Sequence, residues 1–225
     1  MNRTPLKRLV TTLALVWSTL ASAQGGSYDT FFTAILRDNP SPLQRLAPLG
    51  FDFNTPSPEL QPPLVLAIQR ESWRVADFLL TRPELDLEAR NPADENALML
   101  AAIKGQTELV QRLIERGAQV NKPGWTPLHY AASHKGPQAL TITRLLLERH
   151  AYIDAASPNG STPLMLAAQY GREDVVRVLL EEGADPALRN QLGLNAIDFA
   201  FRADRPDIAE AVAAALRQRQ PRGSW

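Results

Sequence analysis

Cysteine is absent from all 225 residues. That removes disulfides, thiolate nucleophiles, cysteine-type zinc sites and a lipid anchor on an N-terminal cysteine. Histidine is scarce, with three residues. Net charge is missing as well: 24 basic side chains stand against 24 acidic ones, so no overall basic field points to nucleic acid. The sequence contains no G-x-x-x-x-G-K-S/T, no G-x-G-x-x-G and no G-x-S-x-G. A phosphate-cradling loop, a dinucleotide turn and a nucleophile elbow therefore lack their signatures. The apolar run from Leu9 to Leu20 has 12 residues, too few to cross ~30 Å of hydrocarbon as a helix.

That short run has another use. Arg3, Lys7 and Arg8 precede it and Ala21-Ser22-Ala23 follows it. A basic segment, a short apolar segment and a small-residue site form an export signal of bacterial style. Residues 1–23 are expected to be removed before Gln24, leaving a periplasmic chain with no further membrane contact. Cleavage removes three basic residues and no acidic one, for a mature net charge of −3.

What the sequence has in abundance is repetition. PPLVLAI (62–68), NALMLAA (96–102), TPLHYAA (126–132), TPLMLAA (162–168) and NAIDFAF (195–201) align, at spacings of 34, 30, 36 and 33 residues. Downstream of each lies a second apolar block, from VADFLL (75–80) to VVRVLL (175–180) and IAEAVA (208–213). A third block, led by glycine, reads GFDFN (50–54), GAQVN (117–121) and GADPA (183–187), with HAYID (150–154) in register. In STPLMLAAQYG, Thr162 is placed to cap a helix and Pro163 fits its first position. Gly171 is expected to end that helix in left-handed conformation. Val175, Val176, Leu179 and Leu180 would form the apolar stripe of a second helix. A helix pair with one apolar face must stack on its neighbours.

The T-P-L-H-x-A-A core, the G-A-x-V-N close and the period near 33 resemble the ankyrin repeat across residues 28 to 216. The resemblance implies an all-α solenoid of stacked helix-turn-helix units with short β-hairpin-like fingers, about six helix pairs in all. Residues 24–60 would form an N-terminal capping unit, 61–192 the central repeats, 193–216 a C-terminal capping repeat and 217–225 a frayed tail. By the same resemblance His129 belongs to a hydrogen-bond network through Thr126 and backbone groups. Val65, Met99 and Met165 occupy its slot in other units, which marks a packing position. His129 and His134 are five apart, the wrong spacing for two imidazoles on one helical face, so no metal is expected. His150 falls in the glycine slot that closes an outer helix.

The resemblance further implies a non-catalytic module that binds a protein through its concave groove, as a monomer without cofactor. An inhibitor or protective partner of a periplasmic enzyme or toxin is an alternative, and an enzyme using His129 or His134 a weaker one. Carried over by position, the finger contacts are Pro92, Ala93 and Glu95; Lys122 and Trp125; Pro158, Asn159 and Ser161; and Gln191, Leu192 and Leu194. The inner-helix contacts are Gln69 and Arg70, Ile103 and Lys104, Ser133 and His134, Gln169 and Tyr170, and Arg202. Trp125 is either an exposed contact or packing for the adjacent finger. The spacings of 30 and 36 put a clipped finger, NKPGW (121–125), beside a lengthened helix–helix loop within SHKGPQALT (133–141). The clipped finger weakens the positional argument for Lys122. The lengthened loop is either neutral drift or a partner-specific notch.

Overall fold

The computed structural model describes residues 26–219. The expected export signal lies outside these residues, as does the tail beyond Arg219. Twelve α-helices and no strand occur among the described residues. They divide into two compact units between Leu85 and Asp86.

The first unit begins with α1 (26–36) and α2 (Ser41–Leu46), the latter prolonged by a 3-10 turn at Ala47–Leu49. Gly50 then takes φ 73°, the left-handed geometry that lets a helix stop without a Cβ clash. A second pair follows, α3 (Pro63–Gln69) and α4 (Trp73–Leu79). Its core is aromatic: Phe31 lies 4.8 Å from Phe51 and 5.7 Å from Phe53, and Phe53 lies 5.6 Å from Phe78, ring centre to ring centre. The tilted and edge-on contacts suit the ring quadrupoles. Two polar ties join the pairs. The Ser72 hydroxyl donates to the Ile35 carbonyl at 2.7 Å, and Asp38 accepts from the Val75 amide at 3.0 Å, satisfying an amide that the start of α4 leaves open.

The second unit stacks four pairs. Its inner row is α5 (Ala97–Ile103), α7 (Pro127–Ser133), α9 (Pro163–Gln169) and α11 (Ala196–Arg202). Its outer row is α6 (Thr107–Glu115), α8 (Ala139–Glu148), α10 (Glu173–Glu181) and α12 (Pro206–Arg219). Each row packs neighbour on neighbour in chain order. The inner helices approach closely because Ala101, Ala102, Ala131, Ala132, Ala167 and Ala168 are all fully buried and add almost no bulk between backbones. Capping side chains start them: Asn96 accepts from the Met99 amide at 3.1 Å, Thr162 from Met165 at 3.4 Å, and Asn195 from Asp198 at 3.1 Å.

Two local expectations are corrected. Gly171 is not left-handed. A Cβ there would stand 2.1 Å from the Ala132 carbonyl oxygen, so glycine is required by the close passage of α7 rather than by its own φ. In α10 the buried stripe is Val175, Val176, Val178 and Leu179, with Leu180 only half-buried.

The fingers are built from turns, and four of them close in one way. Residues 57–61, 91–95, 157–161 and 190–194 each carry a bond from the first amide to the fifth carbonyl, at 2.9 to 3.0 Å. A second bond runs from the fourth amide back to the first carbonyl, at 2.7 to 2.9 Å. The fourth residue has positive φ in every case: Leu60 57°, Asp94 62°, Gly160 77° and Gly193 73°. The first side chain is Ser or Asn and accepts tip amides, as Asn91 does from Ala93 at 2.9 Å and from Glu95 at 3.0 Å. This is the local bonding that favours such residues in turns.

Candidate functional site

Residues 121–125, the clipped finger, lack that closure and are tied to both neighbours instead. The Asn121 amide donates to the His150 carbonyl at 2.8 Å and its oxygen accepts from the Tyr152 amide at 2.8 Å. On the other side the Lys122 ammonium donates to the Asp94 carboxylate at 2.6 Å and to the Asp94 carbonyl at 3.2 Å. Arg90 meets the same carboxylate at 3.0 Å. Lys122 holds the Asp94 carboxyl below the usual range, with Arg90 adding to the effect. The side chain of Lys122 is 1 % exposed. It braces two fingers together, which corrects its placement as an exposed tip residue. Trp125 is half-buried and sets its ring edge-on to His129 of its own repeat, 5.3 Å between centres at 79°.

His129 is fully buried. Its Nδ1 accepts from the Thr126 amide at 3.2 Å and lies 2.8 Å from the Thr126 hydroxyl. Its Nε2 stands 3.0 Å from the Ser161 carbonyl, which can only accept, so the ring is the neutral Nε2–H tautomer. Burial pushes its pKa down to about 4, against a smaller upward pull from the Ser161 and Ala155 backbone. Both nitrogens are engaged, and neither is left to carry a proton to or from a substrate.

The other anticipated residues of this unit differ in accessibility. Pro92, Ala93, Pro158, Asn159, Gln191 and Leu192 are exposed at their tips, while Glu95 and Leu194 are half-buried and Ser161 is buried. Leu192 is 75 % exposed. Gln191 binds the preceding tip, its amide to the Asn159 carbonyl at 3.0 Å and its side chain to the Pro158 carbonyl at 2.8 Å. On the inner helices Ile103, Lys104, Ser133, His134 and Gln169 are half-buried, and Tyr170 and Arg202 are exposed. The Ser133 hydroxyl is spent on the His129 carbonyl at 2.8 Å. Five residues, 134–138, join α7 to α8, where three, 170–172, join α9 to α10. The lengthened loop is filled by the His134 ring: a Cβ on either Gly105 or Gly136 would lie 2.5 Å from its Nε2.

One participant escaped sequence reasoning. The Tyr130 hydroxyl donates to Glu95 at 2.9 Å, linking an inner helix to the finger before it; burial first, then Glu95, raises its pKa. Its place after the histidine of the TPLH core is where such a bridge could have been sought.

Gln69 and Arg70 belong to the first unit. They line a cavity of about 680 Å³ with Tyr28, Asp29, Phe32, Thr33, Leu36, Leu66 and the finger tip around Glu59. Tyr28, Phe32 and Leu36 fall at four-residue steps along α1, a helical face that the sequence already displayed.

Among the described residues no group of three or more His, Asp or Glu side chains is placed to hold a metal ion, and no helix is long and apolar enough to cross a membrane. Comparison with known proteins matches three overlapping copies of the ankyrin-repeat model to residues 30–123, 64–157 and 138–218. The chain is similar to ankyrin repeat and SAM domain-containing protein 6 of Mus musculus, 34 % identical over 153 residues. It is also similar to a putative ankyrin repeat-containing protein of Treponema pallidum, 36 % identical over 119 residues. A third relative is the human transient receptor potential cation channel subfamily A member 1, 26 % identical over 181 residues. These alignments take in 63 %, 51 % and 76 % of this chain, and 16 %, 39 % and 16 % of the respective relatives.

Proposed function

Because the chain belongs to the ankyrin-repeat family, we propose that it is an exported, non-catalytic module that binds a protein. The binding surface is the row of finger tips and inner-helix ends in the second unit. The observation that carries this reading is the internal closure of the tips. Each tip is closed by bonds within its own five residues, and the Gln191 amide bonds back to the preceding tip, so Pro158, Asn159, Gln191 and Leu192 are presented on a backbone that is already ordered. A preordered surface loses little conformational entropy on binding. Tyr170, 48 % exposed at the end of α9, adds a residue type enriched at interface hot spots. The engagement of both His129 nitrogens supports a non-catalytic role. The signal-like residues 1–23 support export to the periplasm, and the even charge balance favours a protein over nucleic acid.

The test is a comparison of captures. The chain beginning at Gln24 and its Tyr170→Ser/Leu192→Ser variant are used as baits on envelope extract, after thermal unfolding has shown that both are folded. The expected outcome is a retained protein that the variant loses; identical retention by both baits would overturn the assigned surface. N-terminal sequencing of the exported chain checks for a start at Gln24.

A further inference from the structure

The cavity of the first unit has a chemistry of its own. Phe32 and Leu66 give it an apolar wall, and Asp29 and Glu59 place carboxylates at it. Asp29 and Glu59 line the same cavity as Tyr28, whose hydroxyl pKa is raised first by desolvation, then by Glu59 and by Asp29. Glu59 is held in its charged form chiefly by the Ser57 hydroxyl, which donates to it at 2.8 Å. Gln61 also lines the cavity, and its side-chain oxygen Oε1 is buried without a hydrogen-bond partner. A buried acceptor without a donor is a standing cost to the fold, and an amide turned toward a donor in the cavity would remove it. Arg70 stands at the same cavity and within electrostatic reach of Glu59. The site thus has two anionic groups and an unmet acceptor against one cation.

We propose that this cavity receives a single arginine side chain from an extended segment of a partner protein. The aliphatic stem lies along Phe32 and Leu66, as long basic side chains cover apolar surface while their heads stay polar. The guanidinium offers five donors in a planar fork, which suits two carboxylates and an amide oxygen contributed by α1 and by the finger tip. Arg70 acts as the resident competitor, so its removal strengthens binding. The inference takes its source of ligand, a protein, from the function proposed above, but the cavity is tested without any partner.

The full chain from Gln24, labelled with ¹⁵N, is titrated with the blocked tripeptide acetyl-Ala-Arg-Ala-amide. Matched peptides carrying lysine or norleucine at the centre, and free arginine, serve as comparison probes. The expected result is saturable shifts confined to amides 28–36 and 57–70, with the norleucine peptide weaker by about tenfold, a difference of ~1.4 kcal/mol. Glu59→Gln, or Asp29→Asn if the first variant is not folded, weakens the arginine peptide, and Arg70→Ala tightens it. Equal binding by the norleucine peptide, absence of saturable shifts in this region, or indifference to the charge variants overturns the site. A lysine peptide that binds as well as the arginine one overturns the choice of side chain. Free arginine binding more tightly than the blocked peptide overturns the protein source. Failure of the Tyr170/Leu192 capture experiment leaves these shifts unaffected, so the two readings fail separately.

Discussion

The Nε2–H of His129 donates to the carbonyl of Ser161 across 3.0 Å, joining an inner helix to the finger of the next repeat. A second proton on that ring would sit at Nδ1 and face the Thr126 amide, donor against donor. The fold therefore resists protonation of this histidine. The unfolded chain takes up the proton near pH 6.5, whereas the folded protein takes it up only near 4. Stability from this source is whole above about pH 6.5, falls as the pH drops through the window, and levels off below 4. The full loss is about 3 kcal/mol. Urea unfolding midpoints between pH 4 and 8 should show this slope in the wild type. His129→Met, the residue that two other repeats carry in this slot, should lack it.

Lys122 predicts a structural effect and not a binding one. Lys122→Met leaves the Asp94 carbonyl and carboxylate without their ammonium while keeping the buried stem. A cost of about 1–2 kcal/mol is expected, modest because half of the Asp94 side chain faces solvent and retains Arg90. The Asp94 carboxyl, now held down chiefly by Lys122, should titrate closer to the ordinary value in the variant, as read by carboxyl-carbon NMR.

His150 occupies a position that glycine fills elsewhere. Its φ is 63°, in the region taken by Gly117 at 93° and Gly183 at 105°. A β-carbon in that conformation costs about 1 kcal/mol, partly offset by the greater freedom of glycine in the unfolded chain. His150→Gly should raise stability by about 0.5 kcal/mol in urea unfolding, since the Asn121 bond is to the His150 carbonyl and survives the change.

Two glycine substitutions separate two kinds of constraint. Gly117→Ala meets nothing within 4 Å and suffers only its φ, a loss of about 1 kcal/mol. Gly171→Ala places a methyl against the Ala132 oxygen and against Ala167 backbone, so neighbouring helices must part. Its loss should exceed about 3 kcal/mol, visible as a clear drop in Tm beside a small one for Gly117→Ala.

Periodicity carried the helix pairs because one apolar face must recur wherever units stack. Thr162 and Pro163 declared the start of α9 for the same local reason that operates in an isolated peptide. The fate of Lys122 and Gly171 was hidden because it depends on groups 28 and 39 residues away in sequence. Lys122 belongs to a shortened finger that lacks the usual closure, and its partner Asp94 lies on the preceding finger. Gly171 looked like its counterpart Gly105, which is left-handed at 68°, yet it answers to a carbonyl of the preceding helix. The residues around the first cavity were legible only in part: Gln69 and Arg70 followed from register, whereas Asp29 and Glu59 come together only when α1 meets the finger tip.

The five-residue tip has a consequence for how such a chain can change. Its shape is settled by the first residue's oxygen, the fourth residue's φ and two backbone bonds shared by all four tips. The third side chain adds bonds in some, as Asn159 does to Ser157 and Ser161, and none in others, as at Ala93. Pro158 and Asn159 can be replaced by Pro92 and Ala93, or by Gln191 and Leu192, on the same frame. Selection for a new partner could thus rewrite two letters per finger while the scaffold's own spelling stays fixed.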